Sequence, residues 1–480
     1  MFAVHYYFRA MKASFIVILW LMAAVTPGWA QDNVQTKLDR LLIDGFEKKV
    51  FSGNVLVIEN EKPFYERSIG MSDYEASLPN SGETAFSTGS ITKIFTRILV
   101  LQLIAEGKLR FDDKLGKYLS GFKKEIAEKV TVRSLFDHQS GLLQYYDVPG
   151  FNPMERSVTS ATDFLPWLRE EELAFEPGTQ TEYSNSGYVA LAAIIETIEK
   201  KDYSLALQER IFNRLDMSKS GFQYKAENVT GKARGYLSNQ PGPLIDNTQF
   251  GLVGGGDGGI YSTLKDLTKF CKSLMNDGRL LSDDSKVQLV NEPLFEKQFT
   301  SWDEFKQKGR MAIAGGGPGV SAVIALNMAK KRVVIVLSNF DGGTAETIFE
   351  RIAAVLNGDE PAPLQPSVGI FLYNLLIEKG ADYFTANVDT ELSQNGFDLG
   401  DDDMPLMFAG EVLIRDEKAD EAVALFTYYT QKFPQIIVAW NDLGEAYLMK
   451  DNKAKAKACF QKVLELQPNN PYAQERLEKL

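Results

Sequence analysis

Apolar and polar positions alternate with different periods in different parts of the chain. Residues 53–59 and 64–69 are rich in β-branched and aromatic residues and flank a turn-like segment, and residues 321–326 and 332–337 form a second such pair. Between the two pairs, apolar residues recur at helical spacing, and segment 91–103 carries them on most faces. Strands at both ends with helices between them predict an α+β fold. We expect an antiparallel sheet flanked by helices, with an inserted all-α lobe.

Turn-forming residues end this mixed region. The sequence Asn-Gly-Asp-Glu-Pro-Ala-Pro-Leu-Gln-Pro at 357–366 predicts a linker, and the pattern beyond it is mostly helical. The predicted divisions are therefore an α+β domain at 31–356, a linker and helical segment at 357–403, and an all-α module at 404–480.

The C-terminal module repeats itself. Matching residues stand 34 positions apart, namely Gly410 and Gly444, Ala422 and Ala456, Phe426 and Phe460, and Pro434 and Pro468. Trp440, Leu443, Gly444 and Tyr447 also fit the pattern W-x2-L-G-x2-Y. Small residues let paired helices approach closely, and large ones fill the groove between them. These offsets predict about two tetratricopeptide units, which can bind a protein partner.

The N-terminus has the features of an export signal. Arg9 and Lys12 precede an apolar run at 15–25, and small residues precede a cut after Ala30. This order predicts a Sec signal peptide at residues 1–30 and a periplasmic or secreted protein. The apolar run is too short to cross a bilayer comfortably, so no stable membrane span is expected.

Composition narrows the function further. The formal net charge of −12 argues against nucleic acid as a partner, because nucleic-acid binding needs clustered Lys and Arg. The chain has two cysteines, Cys271 and Cys459, far apart in sequence, and two histidines, His5 and His138. These are too few for a Cys-based zinc site or a His-rich metal centre, so no metal is predicted. A disulfide between the cysteines remains possible on the sequence alone.

Ser90 and Lys93 form the first candidate chemical motif. Positions i and i+3 share one face of a helix, so Lys93 lies one turn after Ser90, near a helix N-terminus. A serine hydroxyl needs a base to become a nucleophile, and a desolvated lysine can supply it. The same S-x-x-K spacing recurs at Ser120 and Ser262, so spacing alone is weak. Ser90 differs because a long apolar helix follows it.

A second motif, Tyr183-Ser184-Asn185, is the only Y-x-N in the chain. It lies between Pro-Gly and a helical run, so it is predicted on a loop. There Tyr183 can relay the serine proton and Asn185 can bind a substrate amide. The segment can also simply start a helix, with Asn185 or Ser186 as its N-cap. Both interpretations can hold together.

These motifs resemble those of the serine β-lactamase and penicillin-binding-protein superfamily, especially its class C and esterase-like branch. The resemblance spans roughly residues 40–345, with motifs in the family's order at 86–93, 137–142, 177–188 and 258–263. It implies that Ser90 is the nucleophile, Lys93 the base, Tyr183 the acid/base partner and Asn185 a substrate contact. The implied reaction is acyl transfer to Ser90 and hydrolysis of a small-molecule or peptide ester or amide, without a cofactor.

The family's third motif, K-[TS]-G or H-x-G on an edge strand, is altered. Alignment of the Gly-Gly-x-Pro-Gly tail puts Ile313 where Lys or His is expected. Arg310 is three residues away and should face the opposite side of the strand. The backbone part is kept, because the amides of Ser90 and Gly316 can form an oxyanion hole. Gly315 and Gly316 are therefore predicted at the substrate site, but without the positive charge that would hold a substrate carboxylate.

Two other hypotheses of function stay open. The domain can be a pseudoenzyme that binds cell-wall fragments, which the Ile313 position favours, or the chain can be a periplasmic tetratricopeptide scaffold. His138 can be the base of a Ser-His-Asp triad, although the resemblance implies a structural role. The glycine run 254–259 matches G-x-G-x-x-G, but no clear β-α-β unit surrounds it, so a tight turn is predicted.

Overall fold

The computed structural model describes residues 33–147, 158–169, 172–225, 228–238, 241–250, 254–294, 298–400 and 403–480. The predicted signal peptide lies outside the described residues. No helix in these ranges is long and apolar enough to cross a membrane.

The strands are β1 (Gly53–Glu59), β2 (Lys62–Ile69), β3 (Met71–Asp73), β4 (Leu78–Pro79), β5 (Phe86–Ser87), β6 (Gly221–Phe222), β7 (Tyr236–Leu237), β8 (Ile245–Asp246), β9 (Ile260–Ser262), β10 (Arg310–Gly317), β11 (Val320–Asn327) and β12 (Arg332–Ser338). Within the described ranges, five of them form the main antiparallel sheet in the order β10-β11-β12-β1-β2. Pairing of β1 with β12, from Gly53 opposite Ser338 to Glu59 opposite Arg332, joins the two hairpins that the sequence predicted.

The helices are α1 (Val34–Glu47), α2 (Thr92–Ala105), α3 (Lys124–Lys129), α4 (Val132–Phe136), α5 (Leu165–Arg169), α6 (Asn185–Glu199), α7 (Tyr203–Leu207), α8 (Leu264–Asn276), α9 (Asp283–Val290), α10 (Trp302–Lys308), α11 (Thr344–Asn357), α12 (Val368–Lys379), α13 (Ala381–Gln394), α14 (Met404–Arg415), α15 (Ala419–Lys432), α16 (Ile437–Met449), α17 (Lys453–Leu466) and α18 (Pro471–Lys479). Helices α2 to α10 lie between β2 and β10 in the chain. This is the α+β fold with an inserted helical lobe that the sequence predicted.

Each face of the main sheet packs against helices. On the outer face, Leu38 and Leu42 of α1 and Ile348 and Ile352 of α11 are fully buried. On the inner face, α2 is buried along nearly its whole length and packs with α6, α8 and α9 in the larger core. The apolar stretch of β1 is continuous because both of its faces are covered. Ser90 precedes α2, so this buried helix fixes the position of the serine.

The C-terminal helices form a separate apolar core. In α14 a side chain at Gly410 would collide with the Phe426 ring, and in α16 a Cβ at Gly444 would lie 2.7 Å from the Phe460 ring. The two glycines, which are 34 residues apart, therefore allow the helices of each pair to pack closely, as the repeat pattern predicted. Cys271 is buried in the larger core and Cys459 in the C-terminal one, and neither is in a disulfide.

Candidate active site

Ser90 lies in a tight turn, Gly89–Ile91, that leads directly into α2. Gly89 has φ +51°, and a Cβ there would lie 2.8 Å from the amide nitrogen of Gly316. A side chain at Gly315 would in turn collide with the carbonyl oxygen of Thr88. The serine turn and β10 thus touch backbone to backbone, and the glycines are required because no Cβ fits between them.

The register of β10 directs a backbone donor toward Ser90. Because a two-residue turn joins β10 to β11, Gly317 and Val320 form the closing hydrogen-bonded pair. The preceding residue, Gly316, then directs its N–H away from β11, to the open edge beside Ser90. The two amides that the sequence singled out, those of Ser90 and Gly316, border the same space.

Lys93 is buried directly behind Ser90. Its Nζ donates to Ser90 Oγ (3.1 Å), to Asn185 Oδ1 (2.7 Å) and to the carbonyl oxygen of Asp257 (2.9 Å). Burial lowers the pKa of Lys93 to about 8, while the charges of Asp257 and Glu292 act in the opposite direction. A lysine with this pKa is substantially neutral near pH 8 and can accept the serine proton.

Tyr183 contacts Ser90 from the other side. Its hydroxyl donates to Ser90 Oγ at 2.7 Å. The residue is 41% exposed, yet protein atoms crowd its hydroxyl, and this loss of solvation raises its pKa. The hydrogen bond with Ser90 opposes the rise, and the carboxylates of Asp257 and Glu292 add to it. Tyr183 is therefore a protonated phenol at neutral pH, suited to giving a proton.

Asn185 links the loop to α6. Its Oδ1 accepts from Lys93, and its Nδ2 donates to the hydroxyl of Tyr146 at 3.2 Å. The prediction of Asn185 or Ser186 as helix N-cap is wrong. Ser184 caps α6, because its backbone is extended and its Oγ accepts from the Gly187 amide at 3.0 Å.

Two cavities adjoin Ser90. One, of about 230 Å³, is lined by polar groups that include Tyr146, Asn185 and Asn247, together with Gly316. The other, of about 170 Å³, is lined mainly by apolar side chains, including Leu289, Leu294, Met311 and Ile313. The second cavity is also lined by the charged side chains of Lys93, Arg97 and Glu292. The two cavities thus meet at Ser90 and differ in polarity.

Ile313 stands at the third-motif position, where the alignment expects Lys or His, and lies on the side of β10 that faces Ser90, as predicted. It is half-buried against the inner core and lines the apolar cavity beside Ser90 and Lys93. Arg310, at the start of the strand, lines a different cavity of about 610 Å³ that contacts α11 on the outer face of the sheet. Arg310 is therefore not placed to replace the missing third-motif cation.

The glycine run 254–259 is a tight turn, as predicted. Gly254, Gly256 and Gly259 all have positive φ, between 102° and 126°. The turn presents the Asp257 carbonyl to Lys93, a contact that the sequence did not suggest. No group of three or more His, Cys, Asp and Glu side chains in the described ranges could hold a metal ion.

His138 does not contact Ser90. It is fully buried, its ring stacks on Tyr183 with centroids 4.9 Å apart, and its Nδ1 accepts from the Ser184 amide at 3.0 Å. Its Nε2 lies 3.0 Å from Glu292 Oε1. A triad with His138 as base is therefore not formed. No local sequence pattern marks Glu292, so its contact with His138 could not be predicted.

Comparison with known proteins agrees with this geometry. The profile of the Beta-lactamase family matches residues 30–357, and that of the Tetratricopeptide repeat matches residues 437–470. The chain is 29% identical over 337 residues to penicillin-binding protein 4* of Bacillus subtilis (strain 168), which covers 65% of this chain and 74% of that protein. A second relative, protein flp of Staphylococcus aureus (strain N315), is 23% identical over 331 residues, which cover 66% of its length.

Solved structures share the same fold. The penicillin binding protein from Bacillus halodurans superimposes with a TM-score of 0.57 at 25% identity, covering 66% of this chain and 98% of that one. The D-amino acid amidase from Ochrobactrum anthropi SV3 superimposes with a TM-score of 0.56 at 20% identity, covering 68% and 97% respectively, which shows the fold alone. This chain therefore belongs to the β-lactamase family of serine hydrolases and carries a tetratricopeptide repeat near its C-terminus.

Proposed function

We propose that the protein is an exported serine hydrolase that cleaves uncharged esters or amides through a Ser90 acyl-enzyme. The observation that carries this proposal is the position of Ser90 Oγ, 3.1 Å from Lys93 Nζ and 2.7 Å from the Tyr183 hydroxyl. A nucleophile within hydrogen-bond reach of both a base and an acid is the arrangement that acyl transfer needs.

The steps follow from these contacts. Neutral Lys93 takes the Ser90 proton as Oγ bonds to the substrate carbonyl carbon, and the negative charge on the carbonyl oxygen is met by the amides of Ser90 and Gly316. The bond to the leaving group then breaks as Tyr183 gives its proton to the departing oxygen or nitrogen. Lys93 returns the proton to Tyr183. A water molecule, deprotonated by the same pair, then attacks the acyl-enzyme and releases the acid and Ser90.

The substrate class follows from the lining of the site. The apolar cavity beside Ile313 favours an uncharged group, and the polar cavity offers the Asn185 and Asn247 side chains to an ester or amide. A structural neighbour is a D-amino acid amidase, which makes D-amino acid amides a reasonable test class. We therefore expect p-nitrophenyl esters and D-amino-acid amides to be cleaved better than a chromogenic cephalosporin. A cephalosporin cleaved faster than both would contradict this assignment.

The change Ile313→Lys should shift this preference. A β-lactam carries a carboxylate near its scissile bond, and a charge-assisted hydrogen bond to it is worth about 1.5–3 kcal/mol. We expect kcat/KM on a cephalosporin to rise by about 10- to 100-fold relative to a neutral ester. Ile313→Met is the control, because it keeps an uncharged side chain of similar size. An equal change in both variants would show that shape rather than charge decides the preference.

The C-terminal repeat is proposed as a module that binds a protein partner and is separable from catalysis. Its apolar core is distinct from both cores of the hydrolase domain. Leu364, however, is buried against α1 and α11, and its carbonyl accepts from Lys48 Nζ at 3.0 Å. A separable hydrolase domain should therefore include Leu364.

A chain that ends at Gln365 should fold and keep kcat on small esters within about twofold, because no residue beyond it in the part of the chain that the structure describes lines either cavity beside Ser90. Thermal unfolding and ester kinetics check this expectation, and a chain ending at Pro361 is the matched control that loses Leu364. If the longer truncation is insoluble or inactive, the repeat module is part of the catalytic fold.

A further inference from the structure

Behind Tyr183, two fully buried side chains and one half-buried carboxylate from different parts of the chain contact one another in sequence. These are Arg97 on α2, His138 after α4 and Glu292 after α9. We propose that His138, held by Glu292, is a positioning residue that fixes the Tyr183–Ser184–Asn185 segment for catalysis. The inference rests on the proposed Ser90 hydrolase function and adds residues that do not touch the reacting atoms.

One hydrogen bond and one close contact define the form of His138. Its Nδ1 accepts from the Ser184 amide at 3.0 Å, so this nitrogen carries no proton. The ring proton then lies on Nε2, 3.0 Å from Glu292 Oε1. Burial lowers the pKa of His138, so the ring is neutral. Glu292 therefore selects the tautomer that leaves Nδ1 free to hold the Ser184 amide.

Glu292 is itself held as a carboxylate. Burial acts against its charge, but the nearby Nε2 of His138 and the charges of Arg97 and Lys93 keep its pKa below the ordinary value. Arg97 lies 3.7 Å from Glu292 and is anchored to the Phe136 and Gln288 carbonyls. The three side chains are thus tied to the backbone through Arg97.

The position of the Ser184 backbone affects the two motif side chains on either side of it. Ser184 stands between Tyr183, whose hydroxyl meets Ser90, and Asn185, whose side chain meets Lys93. The His138 ring also stacks on Tyr183 at an interplanar angle of 19°. A shift of this short segment moves both motif side chains at once, and a displacement near 1 Å can cost on the order of 10²-fold in rate.

The variants His138→Asn and His138→Gln form a matched pair. Both remove the stacked ring, and only the Gln amide can still place an N–H beside Glu292. The Asn Oδ1 can take the place of Nδ1 and accept from Ser184, whereas the Gln amide reaches the place of Nε2. His138 has φ +57°, a conformation that Asn tolerates. The two variants therefore differ in whether the Ser184 amide has an acceptor and in backbone strain at position 138, and their unfolding midpoints measure the second difference.

We expect His138→Gln to lower kcat on a neutral ester by on the order of 10²-fold with KM little changed, and His138→Asn to retain about tenfold more kcat than His138→Gln. Glu292→Gln alone should lower kcat by about tenfold. Combined with His138→Gln it should add little, because both changes act through one link. Amide hydrogen exchange at Ser184 should speed up in His138→Gln and stay slow in His138→Asn.

Equal kcat in the two His138 variants, with Ser184 protected in both, would overturn the inference. So would a KM effect without a kcat effect. Unfolding midpoints of both variants show whether a loss is merely one of stability. If the wild type itself cleaves no ester and Ser90 is not labelled by a fluorophosphonate, the proposed function fails. The exchange rate at Ser184 then still decides whether His138 holds the segment.

Discussion

Replacing Ser90 by alanine is expected to abolish covalent labelling by a fluorophosphonate or penicillin-type probe and to lower kcat on a neutral ester by on the order of 10⁶-fold. The reason is that Ser90 Oγ is the atom that meets both Lys93 and Tyr183. Mass spectrometry of the labelled wild type should place the added mass on the peptide that contains Ser90. Folding of the variant is checked by its thermal unfolding midpoint.

Two other serines of the chain serve as controls for the labelling experiment. Ser120 is also followed by a lysine at i+3, but it is exposed on the surface. Ser262 is buried and hydrogen-bonds with Ser220 instead. Ser120→Ala should label like the wild type, and Ser262→Ala should do so if it folds. Labelling that survives Ser90→Ala would refute the assignment, and a wild type that takes no probe would favour a binding function for the domain.

Lys93→Ala and Tyr183→Phe are expected to lower kcat by about 10²- to 10⁴-fold each, the usual contribution of a positioned proton donor or acceptor. Their double variant should lose much less than the product of the two effects, because both groups act on the Ser90 proton. Steady-state kinetics on one neutral ester measures all three. An active Lys93→Ala protein would show that another group is the base.

The assignment of Lys93 as the base also predicts the direction in which kcat/KM changes with pH. The base must be neutral, and burial lowers the pKa of Lys93 to about 8. Protonation below that pH therefore removes active enzyme, and kcat/KM should fall about tenfold per pH unit below 8 and level off above it. Tyr183 stays protonated across this range, since its pKa is raised. A profile that rises as pH falls from 8 to 6 would contradict Lys93 as base.

Local sequence patterns were sufficient for the class of fold. The strand pairs at both ends of the domain, the buried helix after Ser90 and the glycine–phenylalanine offsets of the repeat each depend on residues near one another in sequence. Leu364 shows the limit of such patterns. It lies in a proline-rich segment whose composition predicts a linker, yet its side chain is buried against α1 and α11. Only the position of those helices makes it part of the domain.

Residue type and spacing were enough to predict the α+β class, the family motifs around Ser90, Lys93, Tyr183 and Asn185, and the loss of the third-motif cation at Ile313. Each of these depends on a few residues that are near one another in sequence. The packing of distant segments was needed to show that Ser184 rather than its neighbours caps α6, and that His138 and Glu292 meet behind Tyr183. Packing also buries Lys93, and this burial lowers its pKa. Burial and contacts between distant segments set these properties, because they depend on how the chain packs and not on its local pattern.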